Sequence, residues 1–137
     1  MPAPLNAQEA LIYTMVTMSA VDRDMKDVEI SRIGNLATRM PVFEGFDENS
    51  LLRLAQECGD MVSSESGLSD VLNMIGEAIP ARLAETDYAV AVEIASADRN
   101  VKAEEFRFLD LLRDQFNLDK LTTAAIERGA RARHAPA

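Results

Sequence analysis

An all-α fold, a compact bundle of about seven helices in one domain over residues 1–137, is predicted by three features of the chain. Apolar residues recur at helical spacing from end to end, and no stretch shows the β-branched alternation of a strand. The third feature is an internal echo. "SAVDRDMKDVEI" at 19–30 returns as "SADRNVKAEEF" at 96–106, with Asp, Arg, Lys and Glu in register at an offset of 76 residues. The apolar rhythm downstream keeps the same offset, which predicts a pseudo-twofold bundle whose repeat copies cover about 8–41 and 85–117.

The elements follow in order. "EALIYTMVTMSAV" (9–21) and "DYAVAVEIASA" (87–97) are apolar almost all round. A helix without a polar face belongs inside, so these two are expected to pack as the central pair. Met15 and Met18 fit core positions in the first of them, as Met40 and Met61 do further on. Each central helix runs into an acidic elbow and then a more amphipathic helix. The first of these should bury Ile30, Ile33, Leu36, Ala37 and Met40, with Pro41 as its stop. The second should bury Phe106, Leu109, Leu112 and Phe116. Between the copies, Asp47 is the expected cap of "ENSLLRLAQECGDMV", with Leu51, Leu54, Ala55, Cys58, Met61 and Val62 inward. "SSESG" is a turn, "LSDVLNMIGEAI" a helix facing inward through Leu68, Val71, Leu72, Ile75 and Ile79, and Pro80 opens a new segment. Asp119 should cap "KLTTAAIERGARAR", and residues 130–137 are expected to fray.

The elbows are the first candidate for chemistry. Asp22 and Asp24, and likewise Asp98 and Asn100, match the first two ligand places of a calcium loop. The match ends there: Lys26 or Lys102 takes the next ligand place, no Gly follows, and the acid arrives early, as Glu29 or Glu105. An EF-hand is excluded. A looser, weak divalent-cation site from Asp22, Asp24 and Glu29, or from Asp98, Asn100 and Glu105, stays open. The same residues also make a purely structural corner, which is the stronger reading. Asp22 and Asp98 would close the preceding helices through Asx-type bonds, and Met25 and Val101 would fill the gap between helices. Glu29 and Glu105 would sit near the third helical position, complementing the helix dipole.

With both elbows on view, the chain resembles the tellurite-resistance TerB family over about residues 8 to 129. "EIASADRNVKAEEFRFLDLL" is the more typical copy, "TMSAVDRDMKDVEISRIGNL" the less typical, and "AIPARLAETDYAVAVEIA" is similar to the segment that precedes the second elbow in that family. The resemblance implies a helical pseudo-twofold bundle of about seven helices and a bacterial cytoplasmic protein associated with tellurite resistance and wider stress responses, without an established enzymatic activity. It also implies metal binding through Asp22, Glu29, Asp98 and Glu105, and work beside membrane-bound partners. Arg23 and Arg99 stand where the family commonly has Gly, and Lys26 and Lys102 near its small polar cap, so both elbows gain positive charge.

Charge and residue inventory narrow the function classes. Of the net charge of −9, residues 44–98 carry −10, with twelve acids against Arg53 and Arg82, while residues 99–137 carry +2. Such a chain is repelled by phosphate backbones, so nucleic acid is a poor partner, and cations or a basic protein surface suit the middle segment. No apolar run approaches the ~20 residues of a membrane span, and "MPAPLNAQEA" lacks the features of a secretion signal, so a cytoplasmic protein is expected. The lone Cys58 excludes a cysteine zinc cage, and on its apolar stripe it reads as inert core. His134, the only histidine, falls in the expected frayed tail, leaving no nucleophile–base pair. Glu104 and Glu105 point to different helix sides and suggest solvation. No phosphate-cradling loop is present, no cofactor is implied beyond the weak cation, and an enzyme is not expected. Two readings remain: a stress protein whose acids take divalent cations weakly, or an interaction module whose segment 44–98 docks a basic partner. Oligomeric state is left open by the sequence.

Overall fold

A computed structural model describes residues 4–20, 27–97 and 103–137. Among these residues the chain forms seven α-helices and no strand: α1 Ala7–Ala20, α2 Asp27–Arg39, α3 Leu51–Val62, α4 Gly67–Ala78, α5 Ala84–Ala97, α6 Ala103–Phe116 and α7 Lys120–Arg133. The all-α bundle is as expected from periodicity. Helices α2 and α6 begin 76 residues apart, at 27 and 103; the pseudo-twofold relation of the halves stays an expectation. No helix among the described residues is long and apolar enough to cross a membrane.

Helix α1 is the axis. Ala10 through Ser19 are all buried, so every face needs a partner, and α2, α3, α4, α5 and α6 supply them. Helix α5 packs on α1 and is covered in turn by α6 and α7. Tyr13, Phe108, Met15, Met18, Ile33, Leu54, Ile75 and Leu112 are among the largest fully buried side chains. Each such side chain contributes roughly 1.5–3 kcal/mol through removal from water.

The helix ends obey local chemistry. Pro41 ends α2 and opens a short 3₁₀ turn, Pro41–Phe43. Asp47 accepts from the Asn49 N–H at 3.0 Å and caps the 3₁₀ turn Glu48–Ser50, which runs on into α3. Asp119 caps α7, accepting from the Thr122 N–H at 2.7 Å. Asn117 closes α6 in the left-handed conformation, φ 51°, with the Leu118 N–H donating to the Arg113 carbonyl.

Two expectations are corrected. In α6 the inward residues are Glu105, Phe108, Leu109 and Leu112, whereas Phe106 is 59% exposed. Leu109 and Leu112 are buried as expected, but the i, i+3, i+4, i+7 pattern starts on a carboxylate, so reading apolar residues alone put Phe106 in the place of Glu105 and missed Phe108. Glu105 is therefore not a solvated surface acid. The expectation of fraying from residue 130 is cut back: α7 runs to Arg133, as the periodic stretch 120–133 predicts, with Ala130 fully buried and Arg133 and His134 both bonding Glu93 on α5.

The turn between α3 and α4 closes on Gly67. Its N–H donates to the Ser64 carbonyl, and a β-carbon there would overlap the Met61 carbonyl. Gly67→Ala is therefore expected to cost more than about 2 kcal/mol of stability in chemical denaturation. A loss below about 0.5 kcal/mol would show that the turn can open without disturbing α3 or α4.

Candidate functional site

The six acidic-elbow residues fall into two groups. Asp22, Asp24, Asp98 and Asn100 lie outside the described residues, as do Met25, Val101, Lys26 and Lys102. Glu29 and Glu105 are described, and each is the third residue of its helix, as the spacing predicted. Glu29 is half-buried, and Glu105 is only 5% exposed. The helix N-terminus favours a negative group in this first turn. Burial distinguishes the two elbows: the second carries its carboxylate on the core side of α6, beside Phe108 and Leu109 in the inward stripe. Among the described residues no three His, Cys, Asp or Glu side chains are grouped closely enough to hold a metal ion.

A second buried acid was not singled out in the sequence. Asp87 lies in the first turn of α5 and is wholly buried against α1. The Thr14 hydroxyl donates to its Oδ1 at 2.6 Å, while Oδ2 has no hydrogen-bond partner among the described residues. Burial pushes the carboxyl up, and the Thr14 hydroxyl only partly opposes this, leaving its pKa at about 7 against an ordinary 3.8. The signal was present but faint: Asp87 and Thr14 are polar residues in two segments that otherwise lack a polar face. Nearby, Thr17 and Cys58 share a hydrogen bond at 3.3 Å, and the thiol also donates to the Tyr13 carbonyl at 3.6 Å. Burial pushes this thiol up to about 12, so it carries almost no thiolate at neutral pH and is a poor nucleophile.

The outer side of α5 carries the polar contacts with α7. Glu93 takes the Arg133 guanidinium on Oε1 and the His134 ring on Oε2, the latter at 2.8 Å. Burial resists ionisation of Glu93, but the His134 and Arg133 contacts outweigh it and hold the carboxyl below its usual range. One turn earlier the Tyr88 hydroxyl donates to Glu127 at 2.7 Å. This clasp is a helix-to-helix anchor and offers no nucleophile.

The Asp87 geometry sets a pH dependence. From about pH 4 to about pH 7 the folded chain holds a proton that the unfolded chain has released, so stability falls as pH rises through that window and is level above it. Asp87→Asn, which keeps the oxygen that Thr14 bonds, should remove this slope. It should raise stability above pH 7 by on the order of 2 kcal/mol, read from urea denaturation at about pH 5 and about pH 8. An unchanged pH dependence in the variant would assign the slope to other groups.

No curated protein and no solved structure matches the chain. A family model does, that of the tellurite resistance protein TerB, over residues 8–128. With the matched segment taking in both elbows and all but the last turn of α7, the chain belongs to the TerB family.

Proposed function

We propose that this TerB-family chain is a non-enzymatic protein of the tellurite-resistance and stress response, working in the bacterial cytoplasm, whose acidic elbows take divalent cations weakly. The ligands are Asp22, Asp24 and Glu29 at the first elbow and Asp98, Asn100 and Glu105 at the second. The observation that carries this reading is Glu105, a carboxylate held 5% exposed in the first turn after the second elbow. Hard cations take oxygen ligands, and a carboxylate fixed by the core is preorganised in a way that a solvated one is not. Lys26 and Lys102 reduce the negative charge each elbow presents, which is why the affinity is weak.

Calcium, magnesium and zinc titrated into isotope-labelled protein, followed by backbone amide shifts, test this directly. Saturable shifts confined to the segments around Asp22 and Asp98 are expected, and they should vanish in Asp22→Asn/Asp98→Asn with the remaining spectrum unchanged. Small unsaturable shifts spread over residues 44–98 would mean screening of an acidic surface, and the cation reading would fall.

A second reading, an interaction module that docks a basic partner, is favoured by the surface itself. Nine of the twelve acids in residues 44–98 are exposed, from Glu44 to Glu85. Of the two bases in that stretch, Arg53 is engaged by Glu57 at 2.6 Å. A surface this one-sided steers basic partners toward it.

A further inference from the structure

The charges of this chain are sorted by helix. Between Asp47 and Glu77, across α3 and α4, lie seven exposed acids and a single base, Arg53, which Glu57 already holds. Helix α7 is the opposite, with Lys120, Arg128, Arg131 and Arg133 against Glu127. Helices α3 and α4 pack on α1 and on each other, α4 also meeting α6, whereas α7 packs on α5. The acidic pair and the basic helix therefore belong to opposite members of the central pair.

Each pole also carries an apolar feature. Beside α7, between it and α5 and α6, runs a groove of about 330 Å³. Its floor is the buried Tyr88, Val92 and Leu109, and Phe106, 59% exposed, stands at its lip. The acids in this groove are engaged: Glu127 accepts from Tyr88, and Asp110 is paired with Arg113 at 3.3 Å. Arg131 has no ion pair among the described residues, so the groove presents a guanidinium beside an apolar floor. On the acidic pole the exposed large apolar side chain is Leu52, at 55%, in the first turn of α3 and four residues after the exposed Glu48.

We propose that the chain associates with itself head to tail, Leu52 of one copy entering the α5–α6–α7 groove of the next while the exposed acids of its pole, Glu48 foremost, face Arg131. The inference rests on the interaction reading and names the partner as a second copy. The contact is heterologous, two different patches meeting, so it leaves a free pole at each end and continues past a dimer, into an open chain or a ring of three or more copies. A net charge of −9 opposes association at long range, so the attraction is local to the two poles.

Sedimentation equilibrium of the full chain at about 0.1 M salt, where screening confines charge effects to about 10 Å, tests the arrangement. The weight-average mass should rise with concentration past that of a dimer. Leu52→Glu and Arg131→Glu, both exposed and with folding checked by circular dichroism, should each weaken association at least about tenfold. Mixed one to one, the two variants should form a dimer and stop, because each retains the pole the other lacks. A monomer at every concentration, a wild-type mass that levels at the dimer, or a mixture that stays monomeric would overturn the inference. A chain that stays monomeric yet binds an oligolysine peptide through residues 44–98 would also overturn it, while leaving the broader interaction reading in place.

Discussion

Everything in this bundle depends on the contact between α1 and α5. A helix buried continuously from Ala10 to Ser19 has no solvent face, so it is stable only while five other helices enclose it. The enclosure carries polar groups with it. Thr14, Thr17, Ser19 and Asp87 are all buried, and the Thr14–Asp87 hydrogen bond crosses the central interface itself. Such a bond fixes the rotation of one helix against the other, because a shift by one residue would leave both groups without a partner in an apolar environment.

Much of the architecture was legible in the sequence because it is written in periodicity and punctuation. The central pair, the stripe of α3 through Leu54, Ala55 and Cys58, the stop at Pro41 and the cap at Asp119 follow from local rules that tertiary packing did not overturn. What was not legible depends on non-local contacts. Glu105 fills a core position that a pattern of apolar residues treats as surface, so the start of the stripe was read at Phe106, while Leu109 and Leu112 fall inward as expected. Glu93 gathers Arg133 and His134 from forty residues downstream, so a tail that looks frayed by composition is held down by a partner on another helix. Asp87 was hidden for the same reason, since its partner Thr14 is 73 residues away.

The candidate site shows a related division. Spacing alone placed Glu29 and Glu105 in the first turns of their helices, and that holds. Spacing does not say which side of the helix faces the core, and burial separates the two copies: Glu105 sits inside and Glu29 only partly so. A motif that recurs along a sequence need not keep equal chemistry, because each occurrence is shaped by different neighbours. Both α2 and α6 touch α1, but α6 also packs on α4 and α5, whereas α2 packs on α3.

The burial of Cys58 has a practical consequence for how this molecule is studied. It is the sole cysteine, wholly inaccessible and with a thiol that barely ionises at neutral pH. Thiol-reactive dyes and spin labels should therefore ignore the native chain. One cysteine introduced on the surface becomes a unique attachment point, with no need to remove the natural one and open a cavity in α3. Two such cysteines, one on each of two helices, let the distance between them be read by fluorescence or electron spin resonance in an otherwise unaltered core.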